Sequence, residues 1–298
     1  MVSPYLKNKG SAVRFCLWPP IFNRVFKNII FLIQNCDKLY YNFPKIIGMD
    51  KKYQLNFSKL QPSMYLEDGR IKKANKTISV LKDYFNDISS FNLLDIGSST
   101  GIMTNEYAKY FKDVTGVDLD TTAVQFSSNR FKRENLKFIC APIEEAGFTD
   151  ASFDVITCSQ IYEHVPSDKK LIEEIFRLLK PGGVCYFAAG NRFKIIEPHY
   201  KLPFLSFLPK KAANIYIRTF TNHDLYYENL KSLRNLKKLV SKFEIIDYTL
   251  KIIKYPSRYS ADDMLSEKTV KYFLFNAISK VFYFMIPTYI WLLKKPSS

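Results

Sequence analysis

Seven residues, Asp95-Ile-Gly-Ser-Ser-Thr-Gly101, constrain this chain more than any other stretch of it. The short apolar run from Phe91 leads into them, and the helical pattern Ile102 to Phe111 leaves them. The order is therefore strand, tight turn, helix start. Gly97 and Gly101 remove side chains where the backbone bends sharply and where a ligand would come close. Amides that open the next helix can meet an electron-rich ligand group.

The same alternation continues downstream. Val114-Thr-Gly-Val-Asp118-Leu119-Asp120 is a β-branched run that ends in acids, with Asp118 lying 21 residues after Gly97. At that spacing a carboxylate can accept both hydroxyls of a ribose. Asp120 suits the N-cap of the helix that follows. Asn135 to Cys140 reads as a third strand. Then come Phe148-Thr-Asp-Ala-Ser-Phe-Asp154, a strand through Ser159, and Glu163-His164. A helix closes on Leu179-Lys-Pro-Gly-Gly183, where glycine is expected to stop it and free the return into strand Val184 to Ala188. Phe243 to Leu250 reads as strand six, and Val270 to Met285 as a helix before a last strand, Tyr289 to Leu293.

In order and spacing these blocks resemble the class I S-adenosylmethionine (SAM) methyltransferases, UbiE/UbiG-like, of the type 11 group. Motif I of that family is Asp-hydrophobic-Gly-x-Gly-x-Gly, and here Ser99 stands at the middle glycine. The likeness is close over residues 91–190 and looser outside them. It implies an α/β, Rossmann-like, doubly wound fold with a seven-stranded, mostly parallel sheet, an antiparallel last strand and a lid insertion. The domain would run over residues 49–298, with the insertion at 191–240. SAM is the implied cofactor, held by Asp95, Gly97, Ser98, Ser99, Gly101, Asp118, Leu119, Ile143 and Ser159. The family often places an Asp after the third strand against the adenine amino group. This chain has Ala141-Pro-Ile143-Glu144 there, so packing by Ile143 and substitution by Glu144 both stay open.

The implied chemistry is in-line displacement at a sulfonium methyl, where alignment of donor and acceptor carries much of the catalysis. The expected acceptor is a small molecule, a lipid or a glycan-linked group. An RNA methyltransferase and a catalytically inactive SAM-fold scaffold are the alternatives. His164 is a candidate general base, or else a brace for its loop. Arg192, His199 and Tyr200 follow strand five, where open α/β sheets bind ligands, and are the substrate-side candidates; a packed lid without a polar role would look the same. Cys158 sits inside a strand and is not expected to be a nucleophile. Glu163 and His164 lack a second ligand pair, so no metal site is expected.

A net charge of +16 asks where the excess lies. Residues 1–60 carry +8 and residues 191–298 carry +11, whereas 61–190 carry −3. Basic flanks around a mildly acidic centre fit a polyanionic or membrane-surface partner, and nucleic acid is not the expected one. Lys, Asn, Ile, Phe and Tyr all have AT-rich codons, so genome composition explains the same excess. Residues 1–48 read as an appendage. Ile21, Phe22, Val25, Phe26, Ile29, Ile30 and Ile33 make an amphipathic helical stripe there, although Met49 is an alternative start that would make the segment a gene-model extension. The five cysteines show no paired spacing and no secretory signal is evident, so a reducing cytoplasmic compartment is expected, with the protein peripheral on a membrane as the further option.

Overall fold

The computed structural model of the chain describes Leu55 and residues 57–297, apart from Met264, Ser266 and Lys268. The stripe read at residues 21–33 lies outside the described residues. Nine strands and nine α-helices occur among the described residues. Strands β1 (Asn92–Ile96), β2 (Asp113–Asp118), β3 (Leu136–Cys140), β4 (Phe153–Ser159) and β5 (Leu179–Gly190) are followed by a two-residue hairpin, β6 (Ile196–Glu197) with β7 (Leu202–Pro203). The chain ends through β8 (Glu244–Asp247) and β9 (Thr288–Lys294).

The main sheet has the order β3-β2-β1-β4-β5-β9-β8. β1 to β5 pair in parallel, and β9 runs antiparallel between β5 and β8. This is the seven-stranded, doubly wound sheet with an antiparallel last strand that the family resemblance implies. Its order reverses between β1 and β4, the switch point beside which such sheets bind ligands. Central strands buried on both faces need continuous apolar runs, and Leu93, Leu94, Val155, Ile156, Val184 and Cys185 are all fully buried.

Two helices pack on one side of the motif: α2 (Glu67–Phe85) and α3 (Ile102–Tyr107). Ala74, Ile78 and Leu81 of α2 share a cluster with Met103, Tyr107, Leu93 and Val114. On the other face α5 (Asp168–Leu178) buries Leu171, Ile172, Ile175 and Leu178 against Ile156, Phe187 and Trp291. α4 (Thr121–Arg130) starts at Asp120, whose carboxylate accepts the Ala123 amide at 3.2 Å, as the capping pattern predicts. α1 (Phe57–Leu60) precedes these elements. α6 (Lys210–Phe220) and α7 (Leu233–Leu239) lie between β7 and β8. α8 (Thr249–Lys254) and α9 (Val270–Val281) come before β9.

Two boundaries differ from the sequence expectation. The α5 helix stops at Leu178, and β5 begins at Leu179, before the glycines rather than after them. Lys180 precedes Pro181 and is driven to extended backbone, and Lys180 Nζ is held by both oxygens of Asp154 on β4 at 2.8 Å. The sixth strand is likewise shorter than Phe243 to Leu250. Asp247 accepts the Thr249 amide at 2.8 Å and so starts α8 immediately after β8. No helix among the described residues is long and apolar enough to cross a membrane.

Candidate active site

Everything chemically distinctive gathers beyond the carboxyl ends of β1, β2, β4 and β5. At β1 the turn takes left-handed backbone at Gly97 (φ 72°), Ser99 (φ 48°) and Gly101 (φ 71°). A side chain at Gly97 would strike Ile161 at 2.2 Å, and one at Gly101 would strike Ser127 and Phe138 at 2.5 and 2.7 Å. The glycines are thus required by the turn and by close packing of the chain on itself. The approach anticipated for a ligand is filled by Ile161 on the Gly97 side.

Asp95, at the end of β1, is buried and accepts the hydroxyls of Thr104 (2.7 Å) and Thr157 (2.6 Å). Burial raises its pKa, while the two hydroxyls and the charge of Arg70 oppose the rise. Asp118 ends β2 opposite the turn. Its Oδ2 accepts the Ser99 amide at 2.7 Å and its Oδ1 the Asp120 amide at 2.8 Å. Burial raises its pKa too, against those amide bonds. The carboxylate predicted to meet a ribose therefore also pins the motif turn to the neighbouring strand. Leu119 and Ser159 are partly exposed at their strand ends. Ile143 is buried in the core beside Val117 and Ile139, and Glu144 is exposed.

The segment before α2 roofs this turn. Thr100 donates to the Met64 carbonyl (2.7 Å), and the Ser58 amide donates to Asp120 (2.8 Å). Arg70 reaches in from the first turns of α2, where burial lowers its pKa and the charges of Asp95 and Asp118 oppose that fall. Sequence reasoning missed Arg70, although a signal exists: it stands one turn before Ala74 on the buried stripe of α2, where an apolar residue is expected.

SAM fits the residues present. Ser98 Oγ, Ser99 Oγ and Arg70 Nε are all buried without a hydrogen-bond partner. Orphaned polar groups at one turn are costly unless a ligand satisfies them. Their chemistry, two hydroxyls and a guanidinium beside two carboxylates, suits a zwitterionic amino-acid nucleoside.

From the turn the chain leads directly to the second half of the site. Ile161, packed against Gly97, accepts the His164 amide at 2.9 Å. The His164 ring lies between Phe57 (5.5 Å) and His199 (5.4 Å, edge-on). Burial, and then the charges of His199 and Lys194, push its pKa down to about 3. Glu163 beside it is buried, its pKa raised by burial to about 7, and its Oε2 has no partner. Across from them His199 Nδ1 lies 2.9 Å from Glu197 Oε1 and 3.5 Å from Glu228 Oε1. Burial alone would lower the His199 pKa, but Glu197 and Glu228 outweigh it and raise the value. Glu197 holds the hairpin turn by accepting the amides of His199 (2.8 Å) and Tyr200 (3.0 Å).

The structure thus brings the His164 and His199 rings together. Tyr200 is turned to a bracing task, donating its hydroxyl to the Leu225 carbonyl at 3.1 Å. Arg192 also points to a carbonyl, that of Phe207, at 3.3 Å. Sequence reasoning also missed Glu197 and Glu228 as site residues. They lie 31 residues apart, and only the fold of residues 191–232 joins them. Cys158 is fully buried in β4 and its thiol pKa is pushed up by burial, as befits an inert packing residue.

Comparison with known proteins agrees with this architecture. Residues 94–187 match the methyltransferase-domain family. The ubiquinone biosynthesis O-methyltransferase of Psychrobacter cryohalolentis is 36% identical over 124 residues, 38% of this chain and 48% of that protein. Its counterpart from Coxiella burnetii is 29% identical over 154 residues, 50% of this chain and 66% of that protein. The chain thus spans about half to two-thirds of the length of these relatives. Among solved structures, the plantazolicin methyltransferase BpumL, in complex with a desmethyl-plantazolicin analogue and SAH, covers 92% of this chain and 99% of its own, with 19% identity and a TM-score of 0.50. Over residues 94–187 the chain is thus similar to the methyltransferase domain, and its relatives over that stretch are O-methyltransferases of ubiquinone biosynthesis by name.

Proposed function

We propose that this chain transfers the methyl group of SAM to a hydroxyl oxygen of a small, lipid-like acceptor. The observation that carries the reading is the pairing of two unlike sites on one end of the sheet. The motif turn presents buried, partnerless Ser98, Ser99 and Arg70 atoms, and the loop after β4 links it directly to the imidazole and carboxylate cluster. The ubiquinone relatives are O-methyltransferases by name, which supports a hydroxyl acceptor and a hydrophobic one.

When bound, SAM supplies an electrophilic methyl on a sulfonium. The residues of the chain do the rest. Arg70 would pair with its carboxylate, and the Ser98 and Ser99 hydroxyls would satisfy its remaining polar groups. Asp118 would accept the ribose hydroxyls through lone pairs left over from the Ser99 and Asp120 amides. The roof from Phe57 to Arg70 would exclude water, and orientation would supply most of the rate. His164 stays uncharged at neutral pH, so it shapes the acceptor wall without repelling the sulfonium. With so low a pKa it is a weak proton acceptor. The acceptor's proton would instead pass to the cluster of Glu163, Glu197, His199 and Glu228.

Contact with a membrane surface is part of the same reading. α9 exposes Val270, Phe273, Leu274, Ile278 and Val281 beside Lys280, which suits a helix lying at a lipid interface and a lipid-like substrate. Incubation with methyl-labelled SAM and fractionated cell extract tests the proposal. Label should appear in a small, extractable lipid fraction as an ether methyl. Label in RNA or protein, or none in the presence of bound SAM, would overturn it.

A further inference from the structure

Three side chains in the acceptor half converge on a single point, and they do so with atoms that metals take as ligands. We propose that Glu197 Oε1, His199 Nδ1 and Glu228 Oε1 bind one divalent transition-metal ion, of the Zn2+ or Mn2+ class. The ion would sit between His199 and its two carboxylates. This goes beyond methyl transfer, because the ion's binding can be read without SAM or an acceptor.

The geometry comes first. One ligand atom from each residue lies within 4.8 Å of the others, and the two distances from Nδ1 are 2.9 and 3.5 Å. Ligands about 2.0–2.2 Å from a four-coordinate ion stand roughly 3.3–3.6 Å apart, so small side-chain shifts complete the set. The chain also fixes the ligands from behind. The second oxygen of Glu197 is tied to the amides of His199 and Tyr200, and Lys210 holds the Glu228 backbone carbonyl. Such outer bonds orient ligands in built metal sites.

A second, independent observation comes from Glu163. Its carboxyl is fully buried, its charge interacts with those of His199 and Glu228, and its Oε2 has no hydrogen-bond partner. The backbone joins it to the cluster, since the Asn229 amide donates to the Glu163 carbonyl at 2.8 Å. Buried Lys194 and half-buried Lys210 also act here. Three carboxylates crowded around one imidazole in a buried site are costly unless a cation or a proton holds them together. Mixed imidazole and carboxylate donors favour zinc, manganese or ferrous iron over calcium, which prefers oxygen alone. Three protein ligands leave a coordination position for water or for an acceptor oxygen.

The test uses the full chain, stripped with a chelator and dialysed. ZnCl2 and MnCl2 are titrated separately by calorimetry, and bound Mn2+ is followed by its paramagnetic resonance. One ion per chain is expected, with His199→Ala weakening binding by more than about 100-fold and Glu228→Gln by about 10-fold or more. SAM affinity should change by less than about threefold in both variants, which shows that the fold persists. Glu197→Gln is less informative because Glu197 also holds the hairpin turn. Absence of binding at millimolar ion, or stoichiometric binding retained by His199→Ala, would overturn the proposal. Because SAM affinity is measured separately, loss of the ion site and loss of the methyltransferase reading give different results.

Discussion

The two halves of the candidate site are built on different principles. At the cofactor turn, polar groups close together in the sheet satisfy one another: Asp95 with the hydroxyls of Thr104 and Thr157, Asp118 with the amides of Ser99 and Asp120. On the acceptor side, ionisable groups from distant segments are pressed together under cover: Glu163, Glu197, His199, Glu228 and Lys194. The first arrangement follows from strand ends and a backbone bend, so it tolerates little change in residue type. The second follows from how a hairpin and two separate loops lie, so its residue types can change except at Glu197, which holds the hairpin turn. A fixed cofactor and a variable acceptor would impose these two patterns.

The sharpest way to break this contrast is a side chain at the bend. Gly101→Val would place a β-branched residue at φ 71°, with its Cβ 2.5 Å from Ser127 and 2.7 Å from Phe138. Left-handed strain and overpacking together cost about 3 kcal/mol or more, and SAM binding should disappear. Urea denaturation and calorimetry check both effects. A stable variant that still binds SAM would mean the turn does not hold the cofactor. By contrast, Tyr200→Phe on the acceptor side removes the bond to the Leu225 carbonyl and the acceptor of the Tyr227 amide, and should cost about 1–2 kcal/mol, read by the same denaturation.

The next effect concerns affinity. Asp118→Ala should weaken SAM binding more than about tenfold, equivalent to about 1.4 kcal/mol, because no carboxylate would then accept the ribose hydroxyls at this buried strand end. Arg70→Ala should do likewise if its guanidinium meets the carboxylate of SAM, and Lys82→Ala, on the same helix and more than a third exposed, should not. Unchanged affinity in Asp118→Ala would leave that carboxylate only the task of pinning the Ser99 amide.

These two halves were also unequally legible. Asp95 to Gly101, Asp118 and the block around Asp154 are contiguous or evenly spaced, because a parallel sheet repeats strand, bend and helix at fixed intervals. The alternation of strand, bend and helix could therefore be read from pattern, whereas the sheet order and the antiparallel β9 came from the family resemblance. The boundary at Leu179 could not, because the extended bias before Pro181 and the Lys180 pair with Asp154 acted before the glycines did. Arg70 escaped notice because an apolar stripe is read by its apolar members. Glu197 and Glu228 escaped because nothing local announces that two carboxylates 31 residues apart share one imidazole. Their meeting depends on the β6–β7 hairpin and on residues 225–230, neither of which has a strong periodicity.

The smallest expected effects turn on the sign of a pH dependence, and they set the cofactor turn against an ordinary structural acid. Asp83 lies on α2, away from the motif turn, and accepts the hydroxyls of Tyr248 and Tyr259, each at 3.0 Å, together with Arg258. Burial would raise its pKa, but these donors outweigh burial and lower it. A depressed folded-state pKa means that its contribution is present above the unfolded value of about 3.9 and is lost as pH falls through the folded one. Asp95 has the opposite shift, raised by burial despite two hydroxyl donors. Its folded state is therefore favoured most below about pH 4 and loses stability as pH rises through its raised value. Compared with wild type, Asp83→Asn should thus destabilise by about 1 kcal/mol at pH 7 and less at pH 3. Asp95→Asn should become relatively more stable as pH rises from about 4 to about 8, while SAM binding weakens. Urea titrations across that range decide the matter. Parallel slopes in the two variants would show that burial at the motif turn is not what sets Asp95 apart, and that its carboxylate is held at no cost to the fold.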